Sequence, residues 1–244
     1  MKGIILAGGK GERLFPLTKS TNKHLLPVGK EPMIFHQVKQ LVHCGITEIL
    51  IVTSTEHMGD IVQCLGSGKD FDCDFTFRVQ EEAGGIAQAL SLAENFADKD
   101  KIVVFLGDNI FGDFIKPYVD NFKKQKEGAR VLLKEVSDPC RFGIAALDEE
   151  ERMIIEIEEK PEKPKTNYAV LGVYMYHSDV FDIIKKQKKS YRGEYEISDV
   201  NDVYVKNELM KYDIVEGEWT DAGTFESYQE ANRILYKINN MVTT

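Results

Sequence analysis

Residues 6–14 read Leu6-Ala7-Gly8-Gly9-Lys10-Gly11-Glu12-Arg13-Leu14 and follow directly on a short aliphatic run, Ile4 to Ala7. Three glycines after a strand let backbone N–H groups approach a polyphosphate that a Cβ would hold off, and Lys10 or Arg13 can neutralise it. The same composition also suits a tight strand-to-helix turn with no ligand. Gly9-x-Gly11 is half of a dinucleotide fingerprint, but Leu14 stands where the third glycine belongs, and no Gly-Lys-Ser/Thr follows to make a Walker loop. Next come Phe15-Pro16-Leu17-Thr18 and Asn22-Lys23-His24-Leu25-Leu26-Pro27-Val28. Two prolines forbid a regular helix here, so the glycine loop is expected to continue as a second irregular loop carrying Lys23. Further along, Leu106-Gly107-Asp108-Asn109 places an acid immediately past another aliphatic run. A carboxylate in that position is either a metal ligand or a helix cap.

These residues need a scaffold, and the hydrophobic pattern supplies one. Ile4 to Ala7, Glu48 to Thr53, Phe75 to Val79 and Ile102 to Leu106 are short apolar or β-branched runs ending in turn or polar residues, as buried parallel strands do. Helical spacing lies between and after them: Ile34, Val38, Leu41 and Val42; Ile86, Ala89, Leu90 and Ala93; Ile115, Tyr118, Val119 and Phe122. Alternating strand and helix predicts a doubly wound α/β sheet whose ligand crevice opens at the carboxyl ends of its strands. In the second half, Ala129 to Val136, Gly143 to Leu147, Met153 to Glu158 and Tyr168 to Tyr176 read as four strands with few helices between them. The charged run Asp148 to Glu151 reads as a solvated turn. Helical spacing returns at Val180 to Ile184, at Ile197, Val200 and Tyr204, and at Tyr228, Ala231, Leu235 and Ile238. With no Pro, Gly or Ser linker, the 244 residues are expected to form one domain.

Composition removes several classes of function. Hydrophobic residues at 43% and charged residues at 29% exclude disorder, collagen and coiled coil. The 31 Lys and Arg against 40 Asp and Glu give a net charge of −9, the wrong sign for sequence-independent capture of nucleic acid or of an anionic membrane. No apolar run approaches the roughly 20 residues that span a bilayer, and the four apolar residues Ile4 to Ala7 are too few for a signal-peptide core, so a cytoplasmic address is expected. Cys44, Cys64, Cys73 and Cys140 form no CxxC pair and have no His at zinc spacing, which predicts scattered reduced thiols.

Taken together, the glycine loop, Arg13-Leu14-x-Pro16-Leu17-Thr18 and Lys23-x-Leu25-Leu26-Pro27 resemble the signature of the sugar-1-phosphate nucleotidylyltransferases. The match extends along nearly the whole chain, through Val79-Gln80-Glu81-Glu82-Ala83-Gly84-Gly85, Leu106-Gly107-Asp108-Asn109, Arg141-Phe142-Gly143, Glu158-Glu159-Lys160-Pro161, Asn167-Tyr168-Ala169-Val170, Arg192-Gly193-Glu194 and Trp219-Thr220-Asp221-Ala222-Gly223-Thr224. The resemblance implies a Rossmann-like, mixed and mostly parallel sheet flanked by helices, with a smaller β-rich sugar-binding lobe. Residues 1–125 would mainly bind nucleotide and residues 126–244 mainly the sugar phosphate. It implies transfer of a nucleotidyl group from dTTP to glucose 1-phosphate, with release of pyrophosphate and dependence on Mg²⁺, in a homo-oligomer (tetramer or dimer).

The same resemblance assigns roles. Leu6, Gly8, Gly9, Gly11 and Arg13 would hold the nucleotide, with Gln80 and Gly85 reading its base, since a Gln amide offers a pyrimidine edge one donor and one acceptor. Lys23 would join Arg13 in catalysis, and Asp108 and Asp221 would share the Mg²⁺. Asn109, Gly143, Glu159, Val170 and Glu194 would line the sugar pocket, with Lys160 and Arg192 gripping the sugar phosphate. A hexose is read by carboxylates that accept from its hydroxyls, while its phosphate suits one point charge and one planar fork. Taken singly, Gln80 also reads as an exposed strand end, Glu159 and Lys160 as a surface ion pair, and Asp221 as a helix cap.

Glu12, His24 and Gly84 depart from the usual Thr, Gln or Pro, and Asp of the family's motifs. Long members continue for several dozen residues past the point corresponding to Thr244, so the resemblance implies a short form without the part of a second nucleotide site which that extension supplies. Within the class the rival is an enzyme using UTP or another sugar phosphate. A nicotinamide-dependent dehydrogenase would need a third glycine and an acid at the end of the second strand, where Leu14 and Thr53 or Ser54 stand. A non-catalytic nucleotide-sugar sensor would keep the pocket without needing two metal carboxylates.

Overall fold

The first strand, β1 (Lys2–Ala7), is buried from Gly3 onward in the computed structural model, which describes residues 1–148 and 153–241. After it the chain makes three single 3-10 turns, Glu12–Leu14, Leu17–Lys19 and Lys23–Leu25, and then a two-residue ladder of β2 (Pro27–Val28) and β3 (Glu31–Pro32). The two prolines thus exclude a helix as expected. Regular alternation begins with α1 (Met33–His43), β4 (Glu48–Ser54), α2 (Met58–Leu65) and β5 (Asp74–Gln80). β1 runs parallel to β4 from Gly3↔Ile49 to Ala7↔Thr53, and β4 runs parallel to β5. Aliphatic residues that alternate in direction along β1 and β4 are all buried, as a parallel strand covered on both faces requires.

The helical spacing over Ile86 to Ala93 gives α3 (Ile86–Ser91), which stops short of Ala93, and a separate single turn, α4 (Glu94–Ala97), follows it. β6 (Ile102–Leu106) leads through Gly107 and Asp108 into β7 (Asn109–Phe111) and α5 (Lys116–Lys124). The β-rich stretch follows as β8 (Ala129–Glu135), β9 (Gly143–Asp148), β10 (Met153–Glu159) and β11 (Tyr168–Tyr176), joined by antiparallel ladders β10–β9, β9–β11 and β11–β8. Within the turn expected at Asp148 to Glu151, residues 149–151 lie outside the described residues. The chain continues with α6 (Val180–Ile184), α7 (Ile197–Lys206), β12 (Met210–Ile214), β13 (Trp219–Asp221) and α8 (Phe225–Met241). Sequence pattern did not announce α2, β12, β7 or β13. In α2 only Ile61 and Leu65 are buried, too sparse a stripe for periodicity to register.

The result is a mixed sheet flanked by helices, parallel where β1, β4 and β5 lie side by side. Two compact units arise from interleaved stretches of chain: Met1–Ala83, Phe105–Pro117 and the segment from Gly217 form one, and Gly84–Val104 with Tyr118–Glu216 form the other. A cut at residue 125 does not separate them. In the first unit, Val28, Met33, Ile110, Ala222, Ala231 and Leu235 make a core cluster against which Tyr228 and Ile238 pack. This cluster fixes the β7–β13 ladder to α8. No helix among the described residues is long and apolar enough to cross a membrane.

Candidate functional site

The glycine loop is built by its own neighbours. Gly9 and Gly11 have φ of +90° and +63°, a conformation that L side chains rarely adopt. A Cβ on Gly11 would also meet Thr18 Cγ2 at 2.9 Å and Lys23 Cβ at 3.2 Å, while the Thr18 hydroxyl donates to the Gly11 carbonyl at 2.8 Å. The loop is therefore closed onto the segment carrying Lys23. A Cβ on Gly8 would lie 3.0 Å from Gln80 Oε1, so the Gln80 amide at the end of β5 stands beside the start of the loop. Leu6 keeps its side chain buried and contributes its carbonyl, which accepts the Gly107 N–H at 3.0 Å.

Asp108 follows Gly107 and is held from both carboxylate oxygens. Lys23 Nζ approaches its Oδ2 at 2.5 Å, and Asn109 Nδ2 donates to its Oδ1 at 3.0 Å. Burial, the largest single influence, pushes the Asp108 carboxyl upward, but the Lys23 charge and hydrogen bond, the neighbouring His24 and the Asn109 amide together outweigh it, and the group is held well below the usual carboxylate range. His24, next to Lys23, is 1% exposed, and its pKa falls to about 3, chiefly through burial and then through the Lys23 charge. It remains a neutral ring at physiological pH, with Nδ1 against Asn22 Oδ1 at 2.6 Å. A Cβ on Gly107 would meet that ring at 2.6 Å, which is why the turn before Asp108 carries no side chain.

Asp221 reaches the same place from β13. In the β7–β13 ladder Asp221 lies opposite Asn109, and the Ala222 N–H donates to the Asp108 carbonyl at 2.7 Å. The Arg13 guanidinium and the Asp221 carboxylate both border Gly223, where an added Cβ would sit 3.1 Å from Arg13 Nη2 and 3.5 Å from Asp221 Oδ2. Mg²⁺ keeps several waters and takes one or two carboxylates together with substrate phosphates, so a pair of carboxylates on neighbouring backbone positions fits it. Among the described residues no group of three or more His, Cys, Asp or Glu could hold a metal ion, which does not suit an all-protein cage.

In the second unit the residues expected to hold the sugar phosphate also converge. Glu159, at the end of β10, accepts from Ser198 Oγ at 3.2 Å, and its other oxygen lies 3.5 Å from Lys160 Nζ and 3.7 Å from Arg192 Nη1. Arg192 donates through Nη2 to Glu194 at 3.3 Å. A Cβ on Gly143 would lie 3.3 Å from Glu159 Oε2, and Val170 follows Ala169, which pairs with Ile144 beside Gly143. Two cations thus face carboxylates that could instead accept from hydroxyls. Gly85, assigned to the base, belongs to this unit: its φ is +95°, and a Cβ there would meet the Tyr195 carbonyl at 2.6 Å and Glu194 Cβ at 3.1 Å. Asn109, assigned to the sugar, lies in the first unit at 3% exposure beside Asp108.

Several partners of the site went unread in the sequence. Ser198, buried on α7, carries no signal of its own, and Thr18 reads only as a motif residue, without its bond to the glycine loop. Asn22 does carry one: an Asn before a helical turn is a standard cap, and its side chain accepts the His24 N–H at 2.9 Å. Cys73 is pushed up to about 11 by burial and by Asp74 and Asp72, and burial also raises Cys64, consistent with thiols that do no chemistry.

Comparison with known proteins identifies the family. A family model described as nucleotidyl transferase matches residues 2–237. The chain is 39% identical over 244 residues to the glucose-1-phosphate thymidylyltransferase of Neisseria meningitidis, covering 99% of this chain and 84% of that one. It is 36% identical over 236 residues to the low-salt glycan biosynthesis nucleotidyltransferase of Haloferax volcanii, covering 96% and 66% respectively. A crystal structure from Bacillus anthracis with a bound sucrose, described as a "putative glucose-1-phosphate thymidylyltransferase", superposes with a TM-score of 0.92 at 59% identity over 96% of this chain and 94% of that one. A UDP-glucose pyrophosphorylase with UDP-glucose superposes with a TM-score of 0.86 at 25% identity over 97% and 98%. With a family match from residue 2 to 237 and relatives well above 30% identity along nearly its full length, the chain belongs to the nucleotidyl transferase family.

Proposed function

We propose that this chain transfers a thymidylyl group from dTTP to glucose 1-phosphate, giving dTDP-glucose and pyrophosphate. The observation that carries this reading is the Asp108 carboxylate, ionised and oriented by Lys23 and Asn109 on a backbone tied to that of Asp221. It is joined by what similar proteins are named for, thymidylyl transfer to glucose 1-phosphate. The sugar-phosphate oxygen attacks the α-phosphorus of dTTP in line, the bond to the β-phosphate oxygen breaks, and pyrophosphate leaves with that electron pair. Such a centre asks for positioning and charge and needs no covalent intermediate.

The N–H groups of Gly8, Gly9 and Gly11 with Arg13 hold the β- and γ-phosphates and stabilise the departing charge. Lys23 offsets repulsion between the two anionic substrates. Gln80, beside Gly8, pairs with the pyrimidine edge. Lys160 and Arg192 hold the sugar phosphate, Glu159 and Glu194 accept from sugar hydroxyls, and Gly143 and Val170 leave room for the ring. Asp108 and Asp221 would hold Mg²⁺, which supplies positive charge and orientation at the α-phosphate when bound. The family resemblance also supports a cytoplasmic homo-oligomer, which sedimentation would measure.

Pyrophosphate release assayed over a matrix of nucleotides and sugar 1-phosphates tests the reading: the dTTP and glucose 1-phosphate pair should give the highest kcat/KM. Highest activity with UTP would favour the second reading, a uridylyltransferase, which the likeness to a UDP-glucose pyrophosphorylase supports. A methyl group separates thymine from uracil and is worth only about 1 kcal/mol in an apolar pocket, so the preference is a matter of degree.

A further inference from the structure

Asn109 and Trp219 have no assigned part in the proposed chemistry beyond a sugar contact implied for Asn109, yet their geometry is specific. Asn109 is 3% exposed, and both ends of its amide are used: Nδ2 donates to Asp108 Oδ1 at 3.0 Å, and Oδ1 accepts from Trp219 Nε1 at 2.9 Å. An indole nitrogen can only donate and an ionised carboxylate can only accept. The amide therefore has one orientation that satisfies both neighbours, and a flip would set donor against donor and oxygen against oxygen. The backbone of Asn109 is held too, since Gln37, fully buried, donates through Nε2 to its carbonyl at 2.7 Å. Trp219 stands opposite Phe111 in the same ladder that sets Asp221 opposite Asn109. The strand that delivers one carboxylate thus also delivers the donor that orients the amide gripping the other.

We infer that Trp219 and Asn109 are positioning residues that fix the Asp108 carboxylate relative to Asp221 for a divalent cation. Trp219 sets the Asn109 amide, the amide holds Oδ1 of Asp108, and Oδ2 remains directed at Lys23 and the incoming charge. The inference rests on the reading of Asp108 and Asp221 as cation holders. Residues that orient metal ligands in this way typically change metal affinity by about 10–100-fold when replaced.

The test is Mn²⁺ binding to the full chain, read from loss of the free-ion signal in electron paramagnetic resonance, with thermal unfolding as a check on folding. Trp219→Phe keeps the ring and removes the donor, and Asn109→Ala removes the grip on Asp108. Each should weaken Mn²⁺ binding at least about tenfold, and the metal concentration for half-maximal turnover should rise in parallel. The Trp219→Phe loss should largely vanish in the Asn109→Ala background, because the two act through one another. If Asn109→Ala fails to fold, Trp219→Phe carries the test alone. Asp108→Asn separates the two ideas: Mn²⁺ binding unchanged in that variant overturns the cation reading itself. Binding lost in Asp108→Asn but kept within twofold in Trp219→Phe and Asn109→Ala overturns the positioning role. A raised KM for glucose 1-phosphate at saturating metal with unchanged Mn²⁺ affinity would also overturn it, making these residues sugar contacts instead.

Discussion

Asp221 pairs with Asn109 across the β7–β13 ladder, so the Asp221 carboxylate issues from β13 and that of Asp108 from the turn residue just before the facing strand, one residue out of step. Their spacing is set by backbone hydrogen bonds, including Ala222 N–H to the Asp108 carbonyl at 2.7 Å, and not by long flexible side chains. Changing either acid should leave that backbone in place. Asp108→Asn and Asp221→Asn keep shape and lose charge, so each should lower turnover by at least about a hundredfold; the thermal transition should move little in Asp221→Asn but fall in Asp108→Asn, which leaves the Lys23 ammonium without its carboxylate. Near-normal rates in both variants at limiting Mg²⁺ would remove the pair from the mechanism.

Arg13 and Lys160 belong to different compact units and are placed on different substrates. Arg13→Ala should chiefly lower kcat and kcat/KM for the nucleotide, because a group on the leaving pyrophosphate acts most in the transition state. Lys160→Ala should chiefly raise KM for the sugar phosphate. Steady-state kinetics with each substrate varied in turn decides it, and an exchange of the two patterns would refute the placement.

Gln80 offers its amide beside Gly8, where the approach is close enough that a Cβ would stand 3.0 Å from Oε1. Gln80→Glu replaces the donor by an acceptor and adds a charge. Discrimination between dTTP and dATP should fall, on the order of tenfold for one lost hydrogen bond to a base edge, whereas affinity for inorganic triphosphate should hardly move. Competition assays with the two nucleotides and triphosphate would show an unaltered preference if the base is read elsewhere.

Acid should weaken the fold in two stages. His24 has a folded pKa of about 3 against an ordinary value of 6.5, so below about pH 6.5 the unfolded chain takes up a proton that the native state refuses. Stability is then full above pH 6.5 and drains as pH falls toward 3, by at most about 5 kcal/mol. Asp108, held low in the native state, adds its loss only below about pH 4, where the unfolded carboxyl protonates. Denaturant unfolding of the wild type and of His24→Gln between pH 7 and pH 4.5 should show a clearly shallower slope in the variant. Some slope should remain, because burial also lowers His36 and His177.

The sequence exposes most of the scaffold because its strands are aliphatic runs of strand length: Ile102–Leu106 and Tyr168–Tyr176 fall where the pattern puts them. It hides β7 and β13, three residues each, whose pairing joins positions 109 and 221 and leaves no local trace. The residue types of the site and its main groupings, Asp108 with Asp221 and Glu159 with Lys160 and Arg192, were legible through motifs, but the neighbours of Gly85 and Asn109 were not. Gly85 lies against Tyr195 and Glu194, and Asn109 against Asp108 and Trp219, because long-range backbone pairing decides which motif meets which. Gln37 lies between the stripe residues Ile34 and Val38, and nothing local announces that its amide reaches a strand 72 positions away.

The interleaving of the two units has a consequence for how the protein is made. Residues 118–216 belong to a unit whose strands and helices are all present once that stretch and Gly84–Val104 have emerged from the ribosome. The other unit, although it includes Lys2–Ala7, lacks the Trp219–Asp221 partner of Asn109–Phe111 and the Ala222, Ala231 and Leu235 side chains of its core until residues 219–235 have been added. Its glycine loop and Lys23 are thus made well before the strand and helix that complete their unit, whereas the second unit is complete in sequence at Glu216.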